Sequence, residues 1–195
     1  MLYQLSYVGA ERILPPPPRA QAATVVDSRR VGSLREIMSW DDLGVGTREL
    51  ARSIHDDGYR PDMVLAIARG GMLVASALGY ALGVKNTFTM NVEFYTGVDA
   101  RLEMPMILPP VPDLVDFGET RVLIADDVAD TGATLALVKG FCEGKVGEIR
   151  CAVLYEKPWS SVGCEYVWRR TDRWITFPWS AEPPTGETLA AVAEA

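Results

Sequence analysis

Near the middle of the chain runs Val122-Leu123-Ile124-Ala125-Asp126-Asp127-Val128-Ala129-Asp130-Thr131-Gly132-Ala133-Thr134: an apolar run of strand length, two adjacent acids, then small residues that open a helix. Amides exposed at a helix N-terminus, with hydroxyls from Thr131 and Thr134, form a cradle for a phosphate dianion. Gly132 and Ala133 let the backbone approach such a ligand closely. Asp126 and Asp127 repel phosphate. They suit ribose hydroxyls, either as direct acceptors or through a hard divalent cation bound by oxygen ligands. Acids beside a phosphate cradle therefore describe a sugar phosphate better than a bare phosphate; the alternative is a solvated acidic loop capping a helix.

Outward from this stretch, strand and helix alternate. Ser39 and Asp42 have the spacing of a capping box, and Leu43, Leu50 and Ile54 recur at helical intervals until Gly58. After Pro61, Met63–Ala68 reads as a strand, Arg69-Gly70-Gly71 as a break, Met72–Leu82 as a helix, and Gly83 as its stop. Phe88, Met90, Val92 and Phe94 alternate with Thr89, Asn91 and Glu93, the period of a strand. Residues 96–118 form a long proline-rich connection. Val122–Ala125 is a buried-type strand, Thr131 caps a helix through Leu135, Val138 and Phe141, and Cys151–Tyr155 is the next strand. The pattern predicts an α/β fold, a mainly parallel sheet flanked by helices, whose ligands bind at the carboxyl ends of strands. Residues 1–37, with Pro15–Pro18, read as a flexible extension, 38–180 as the folded domain, and 181–195 as a tail.

The chain has 195 residues, 48% hydrophobic and 23% charged, which fits one folded domain and excludes a disordered chain. A net charge of −7 argues against nucleic acid or an anionic membrane as partner. Val64–Val84 is long enough to span a bilayer, but Arg69 inside it and Gly70-Gly71 beside it favour a strand, a turn and a helix. Cys142, Cys151 and Cys164 form no Cys-x-x-Cys pair and read as reduced thiols, and the N-terminus lacks a secretory pattern, so a cytoplasmic location is expected. The single histidine, His55, sits near a helix end, where a solvated role outweighs a catalytic one. Gly44-Val45-Gly46 lacks the third glycine of a dinucleotide fingerprint, and Gly144-Lys145 lacks the rest of a Walker loop.

The stretch 122–134 resembles the phosphoribosyl-pyrophosphate motif of type I phosphoribosyltransferases: hydrophobic strand, two acids, two residues, Asp-Thr-Gly, a small residue and Thr. The resemblance implies that Asp130, Thr131, Gly132, Ala133 and Thr134 hold the 5-phosphate, that Asp126 and Asp127 face the ribose hydroxyls and Mg²⁺, and that Asp130 is a candidate general base toward the purine N7. Alone, Arg69-Gly70-Gly71 after a strand is either a turn or a site. Beside the first motif it resembles the family's pyrophosphate loop, in which amides and the arginine hold the leaving group and two glycines permit unusual backbone geometry. Tyr155-Glu156-Lys157-Pro158 and Trp174-Ile175 resemble the base pocket of xanthine-guanine and hypoxanthine phosphoribosyltransferases. There the lysine bonds the 6-oxo group and an aromatic ring stacks on the base. That assigns these roles to Lys157 and Trp174, with Ile175 giving backbone contacts near C2, in a small hood contributed by the C-terminal part.

These expectations combine into transfer of 5-phosphoribosyl from phosphoribosyl pyrophosphate to N9 of a 6-oxopurine, with pyrophosphate released, in nucleotide salvage. The resemblance also implies a homodimer or homotetramer. The 95–118 connection departs from the family in offering Phe94-Tyr95-Thr96-Gly97 where a Ser-Tyr pair is common. Two alternatives stay open: a phosphoribosyltransferase for another base, and a regulator of the same fold that senses phosphoribosyl pyrophosphate.

Overall fold

The structure is a computed structural model that describes residues 35–93, 96–97, 100–101, 106–108 and 118–185. In chain order the elements are β1 (Glu36–Ile37), α1 (Trp40–Asp56), β2 (Met63–Ala68), α2 (Gly70–Leu82), β3 (Thr87–Glu93), β4 (Thr96–Gly97), β5 (Ala100–Arg101), β6 (Met106–Leu108), β7 (Arg121–Ala129), α3 (Ala133–Cys142), β8 (Glu148–Glu156), β9 (Tyr166–Arg170) and β10 (Ile175–Thr176). The extension up to residue 34, Phe94, Tyr95, most of the 96–118 connection and residues 186–195 lie outside the described residues.

The α1 helix begins where its sequence says it should. Ser39 Oγ accepts from the Asp42 amide at 3.1 Å and the Asp42 carboxylate accepts from the Ser39 amide at 2.9 Å, closing the capping box. Acidic Asp41 and Asp42 in the first turn suit the positive end of the helix dipole. Gly83, at φ 72°, turns the chain out of α2 in the left-handed conformation that glycine adopts without penalty.

Six strands form the main sheet in the order β6-β3-β2-β7-β8-β9, parallel throughout except for β6, which runs antiparallel at the edge. The central strands are apolar along their length because both faces are covered. On one face, Leu50 and Ile54 of α1 and Val74 and Leu78 of α2 pack over Val64, Ala66, Leu123 and Leu154. On the other, Leu135, Val138 and Cys142 of α3 pack over Met63, Leu65, Ile124 and Val153. The three cysteines are free and buried; burial pushes the Cys142 thiol up to about 11 and Cys151 to about 12. The apolar 64–84 segment is β2, a turn and α2, and no described helix is long and apolar enough to cross a membrane.

Four sequence expectations are corrected. Glu36–Ile37, read as the end of the extension, pairs in parallel with β10, and Met38 beyond it is core at 2% exposure. The helix expected from Met72 starts at Gly70. The strand expected to end at Ala125 continues through both acids to Ala129, because β8 extends alongside it and pairs as far as Ala129↔Glu156. Thr131 is not the N-cap of α3. Gly132 is, at φ 83°, while Thr131 Oγ1 accepts from the Ala133 amide at 3.3 Å.

Removing the Ser39 hydroxyl tests the first helix directly. Ser39→Ala should cost about 1 kcal/mol and lower the melting temperature by roughly 2–4 °C, read by thermal unfolding followed by circular dichroism.

Candidate active site

β2 and β7 are hydrogen-bonded neighbours, Ala66 opposite Ala125, so the turns that follow them emerge side by side at the carboxyl edge of the sheet. The turn after β2 enters α2 with no intervening residue except Arg69. The first turn of α2 thereby lies directly against the end of β7. A Cβ on Gly70 would stand 1.9 Å from Asp127 Oδ2, and one on Gly71 2.5 Å from the Ala125 carbonyl oxygen and 3.1 Å from Asp126 Oδ1. These glycines are needed for room and not for backbone geometry: neither is among the positive-φ glycines. The unusual backbone geometry expected of this loop lies at the peptide before Arg69 and not in the φ of either glycine. The Ala68–Arg69 peptide is cis.

Asp126 is 8% exposed, and its carboxylate accepts from the Asp127 amide at 2.9 Å. Neither acid has a lysine or arginine in ion-pair distance among the described residues. Burial, and then the neighbouring Asp127 charge, holds Asp126 well above the usual carboxylate range; burial raises Asp127 as well. Two desolvated carboxylates without a protein cation are what a divalent ion with oxygen ligands requires. Among the described residues no third acid, histidine or cysteine joins them. An ion there would take two protein carboxylates, and its remaining ligands from substrate and water, the usual pattern for Mg²⁺.

On the other side of the acids, Asp130–Thr134 leads into α3, whose first-turn amides have no intrahelical acceptor. Arg69, Gly70, Asp126, Asp127, Thr131 and Thr134 all line one cleft of about 900 Å³. The Arg69 side chain has no hydrogen-bond or ion-pair partner among the described residues and is exposed at the rim. A second groove, about 750 Å³, opens at the amino ends of β2 and β7 and carries His55, Arg52 and Arg121. None of the acids, amides or glycines above reaches it, so the chemistry belongs to the cleft.

The residues assigned to base recognition gather beside this cleft and not within its lining. Lys157 is 7% exposed, and its ammonium donates to the Arg173 carbonyl oxygen, which ties it to the Trp174-Ile175 segment. Lysine has three N–H donors, so two remain. Trp174 is 68% exposed. Glu36 N donates to Trp174 O at 2.9 Å and Met38 N to Thr176 O at 3.0 Å. In a parallel ladder that register directs the N–H and C=O of Ile175 itself away from β1. The hood is therefore built from residues 36–38 as well as from the C-terminal part.

The sequence reading missed the segment that joins the two halves. Lys157 N donates to Ala129 O at 2.9 Å, continuing the β7–β8 ladder beyond the strands. Ser161 donates to Thr131 O through its amide at 2.9 Å and its hydroxyl at 2.8 Å. A Cβ on Gly132 would lie 2.8 Å from both Ser160 Oγ and Val162 N. Glu156 closes the base of this loop, accepting from the Cys164 amide at 2.9 Å and Arg170 Nε at 2.8 Å. Only a buried-type strand ending in Glu-Lys hinted at it; the Ser161–Thr131 bond spans 30 residues and carries no local pattern.

Comparison with known proteins agrees with this geometry. Residues 33–184 match the family described as phosphoribosyl transferase domain. The xanthine-guanine phosphoribosyltransferase of Ruegeria sp. (strain TM1040) is 33% identical over 153 residues, 73% of this chain and 83% of that protein. That of Gluconobacter oxydans (strain 621H) is 29% identical over 148 residues, 75% of this chain and 84% of that one. The crystal structure of a purine phosphoribosyltransferase from Pyrococcus horikoshii Ot3 superimposes with a TM-score of 0.67 at 35% identity, covering 79% of this chain and 98% of that one.

Asp126→Asn tests the electrostatics. A carboxyl whose folded pKa is raised costs stability increasingly as pH climbs from its unfolded pKa through its folded one, and the whole penalty is present above both. In metal-free protein at neutral pH, Asp126→Asn should therefore raise the melting temperature by a few degrees, with the gain vanishing near pH 4.

Proposed function

Because this chain belongs to the phosphoribosyltransferase family, we propose that it is a purine-salvage enzyme that joins the 5-phosphoribosyl group of phosphoribosyl pyrophosphate to N9 of a 6-oxopurine and releases pyrophosphate. The observation that carries the reading is the contact of the Arg69-Gly70-Gly71 turn with the two acids of β7, which brings the groups we assign to diphosphate and to ribose into one cleft. The xanthine-guanine relatives and the purine-specific structural neighbour support a purine as acceptor.

Each part of the site has a task in this reaction. Breaking the anomeric C–O bond develops oxocarbenium character on the ribose, so the protein must stabilise departing negative charge and hold the acceptor in line. The 5-phosphate sits on the amides and hydroxyls of Asp130–Thr134. The Asp126 and Asp127 carboxylates receive the ribose hydroxyls. Bound there, Mg²⁺ would neutralise diphosphate charge. Arg69 adds a bidentate cation with no competing partner among the described residues, and the amides of Gly70 and Gly71 reach the same leaving group. Trp174 offers an exposed ring for stacking, and Lys157 has N–H donors left for a 6-oxo acceptor. A 6-amino group would present a donor to that donor, which disfavours adenine. Asp130 takes up the proton at N7. We place the enzyme in the cytoplasm as a homodimer or homotetramer. Exposed Met72 and Tyr80 on α2 offer an apolar face for self-association.

Pyrophosphate release measured with guanine, xanthine, hypoxanthine, adenine, uracil and orotate in turn tests the assignment. The 6-oxopurines should react and the others should not. Release with adenine alone would remove the role given to Lys157, and binding of phosphoribosyl pyrophosphate without release from any base would identify a sensor. Lys157→Met should lower kcat/KM for the preferred base by about 10²-fold, since leaving one buried acceptor unpaired costs about 1–3 kcal/mol. Chelation of divalent cations should abolish turnover, and added Mg²⁺ should restore it.

A further inference from the structure

Asp130 is exposed, and an exposed aspartate with two free torsions does not present one oxygen in one direction. Here it is held. The indole N–H of Trp159 donates to Asp130 Oδ1 at 2.9 Å. The ring that does so also lies 5.5 Å from the Lys157 ammonium, whose charge draws on the indole and strengthens its N–H as a donor. Trp159 thus stands between the two groups assigned to the N7 and O6 edge of a purine.

Trp159 is itself 55% exposed, and the backbone that carries it is anchored on both sides. Ser160 N donates back to Lys157 O at 3.0 Å, Ser160 Oγ donates to Val162 O at 2.9 Å, and Ser161 is bonded twice to Thr131 O. The loop that carries Trp159 is consequently stitched to the loop that carries Asp130, so the two backbones that bear donor and acceptor are held side by side.

We propose that Trp159 is a positioning residue for the Asp130 carboxylate: its indole N–H occupies Oδ1 and leaves Oδ2 turned to the acceptor base. The proposal rests on the reading of Asp130 as the group that takes the N7 proton. With Oδ1 occupied, the carboxylate has one productive orientation in place of several, and the base meets an acceptor already aimed.

The test is single-turnover nucleotide formation from phosphoribosyl pyrophosphate and guanine, or whichever base of the panel reacts fastest, with wild type, Trp159→Phe, Asp130→Asn and the double variant. Trp159→Phe keeps the ring and removes only the donor. It should slow the chemical step about tenfold, with Kd for phosphoribosyl pyrophosphate within about twofold of wild type. In the Asp130→Asn background it should add no further loss. An unchanged rate in Trp159→Phe, or a loss accompanied by weakened phosphoribosyl pyrophosphate binding, would overturn the proposal and leave Asp130 in place, as would full multiplication of the two losses. An unslowed Asp130→Asn would instead remove the reading beneath it, and the proposal with it.

Discussion

Everything in the cleft depends on how closely the first turn of α2 approaches the end of β7. Parallel pairing of β2 and β7 delivers two chain reversals to the same edge of the sheet, but adjacency alone would leave a side chain's width between them. With hydrogens in place of Cβ atoms at Gly70 and Gly71, the helix start rests on the Ala125 carbonyl and the two carboxylates. The acids are desolvated and their charged forms become costly. An alanine at either position would have to push the strand end or the carboxylate aside.

The same contact sets stability against function. The protein as a whole is acidic, yet the buried negative charge is concentrated where no lysine or arginine offsets it among the described residues. A fold selected for stability alone would neutralise Asp126 with a partner or replace it. Retaining it uncompensated is the kind of local inconsistency expected where a ligand completes the structure. Arg69 at the rim, without a partner among the described residues, follows the same logic in the opposite sign.

Local patterns made the sheet, its helices and the apolar start of β7 legible, though not its continuation through the acids, because apolar runs, helical spacing and capping signals are set by neighbours in sequence. Ser39 with Asp42 and Gly83 announced helix ends through interactions spanning three or four residues. Glu36–Ile37 gave no such signal: two residues carry no period, and their partner in β10 lies well over a hundred residues away. The roles of Gly70 and Gly71 were half legible, since a glycine pair marks a special backbone or a close approach without saying which. Trp159 and Ser161 were invisible for a third reason. A tryptophan and a serine after a proline read as ordinary loop, and what gives them purpose is the carboxylate and carbonyl of Asp130 and Thr131, reached only through the ladder of β7 and β8.

The contact between Gly132 and the Ser160–Val162 backbone has an evolutionary consequence. Two surfaces to which we assign different halves of the chemistry, one for the phosphorylated sugar and one for the heterocycle, meet closely at this point. They cannot drift apart as independent modules. A lineage that changes which heterocycle it accepts by remodelling residues 157–163 must preserve the shape that Gly132 fits, so diversification here should favour exchanges at side-chain tips over insertions or deletions.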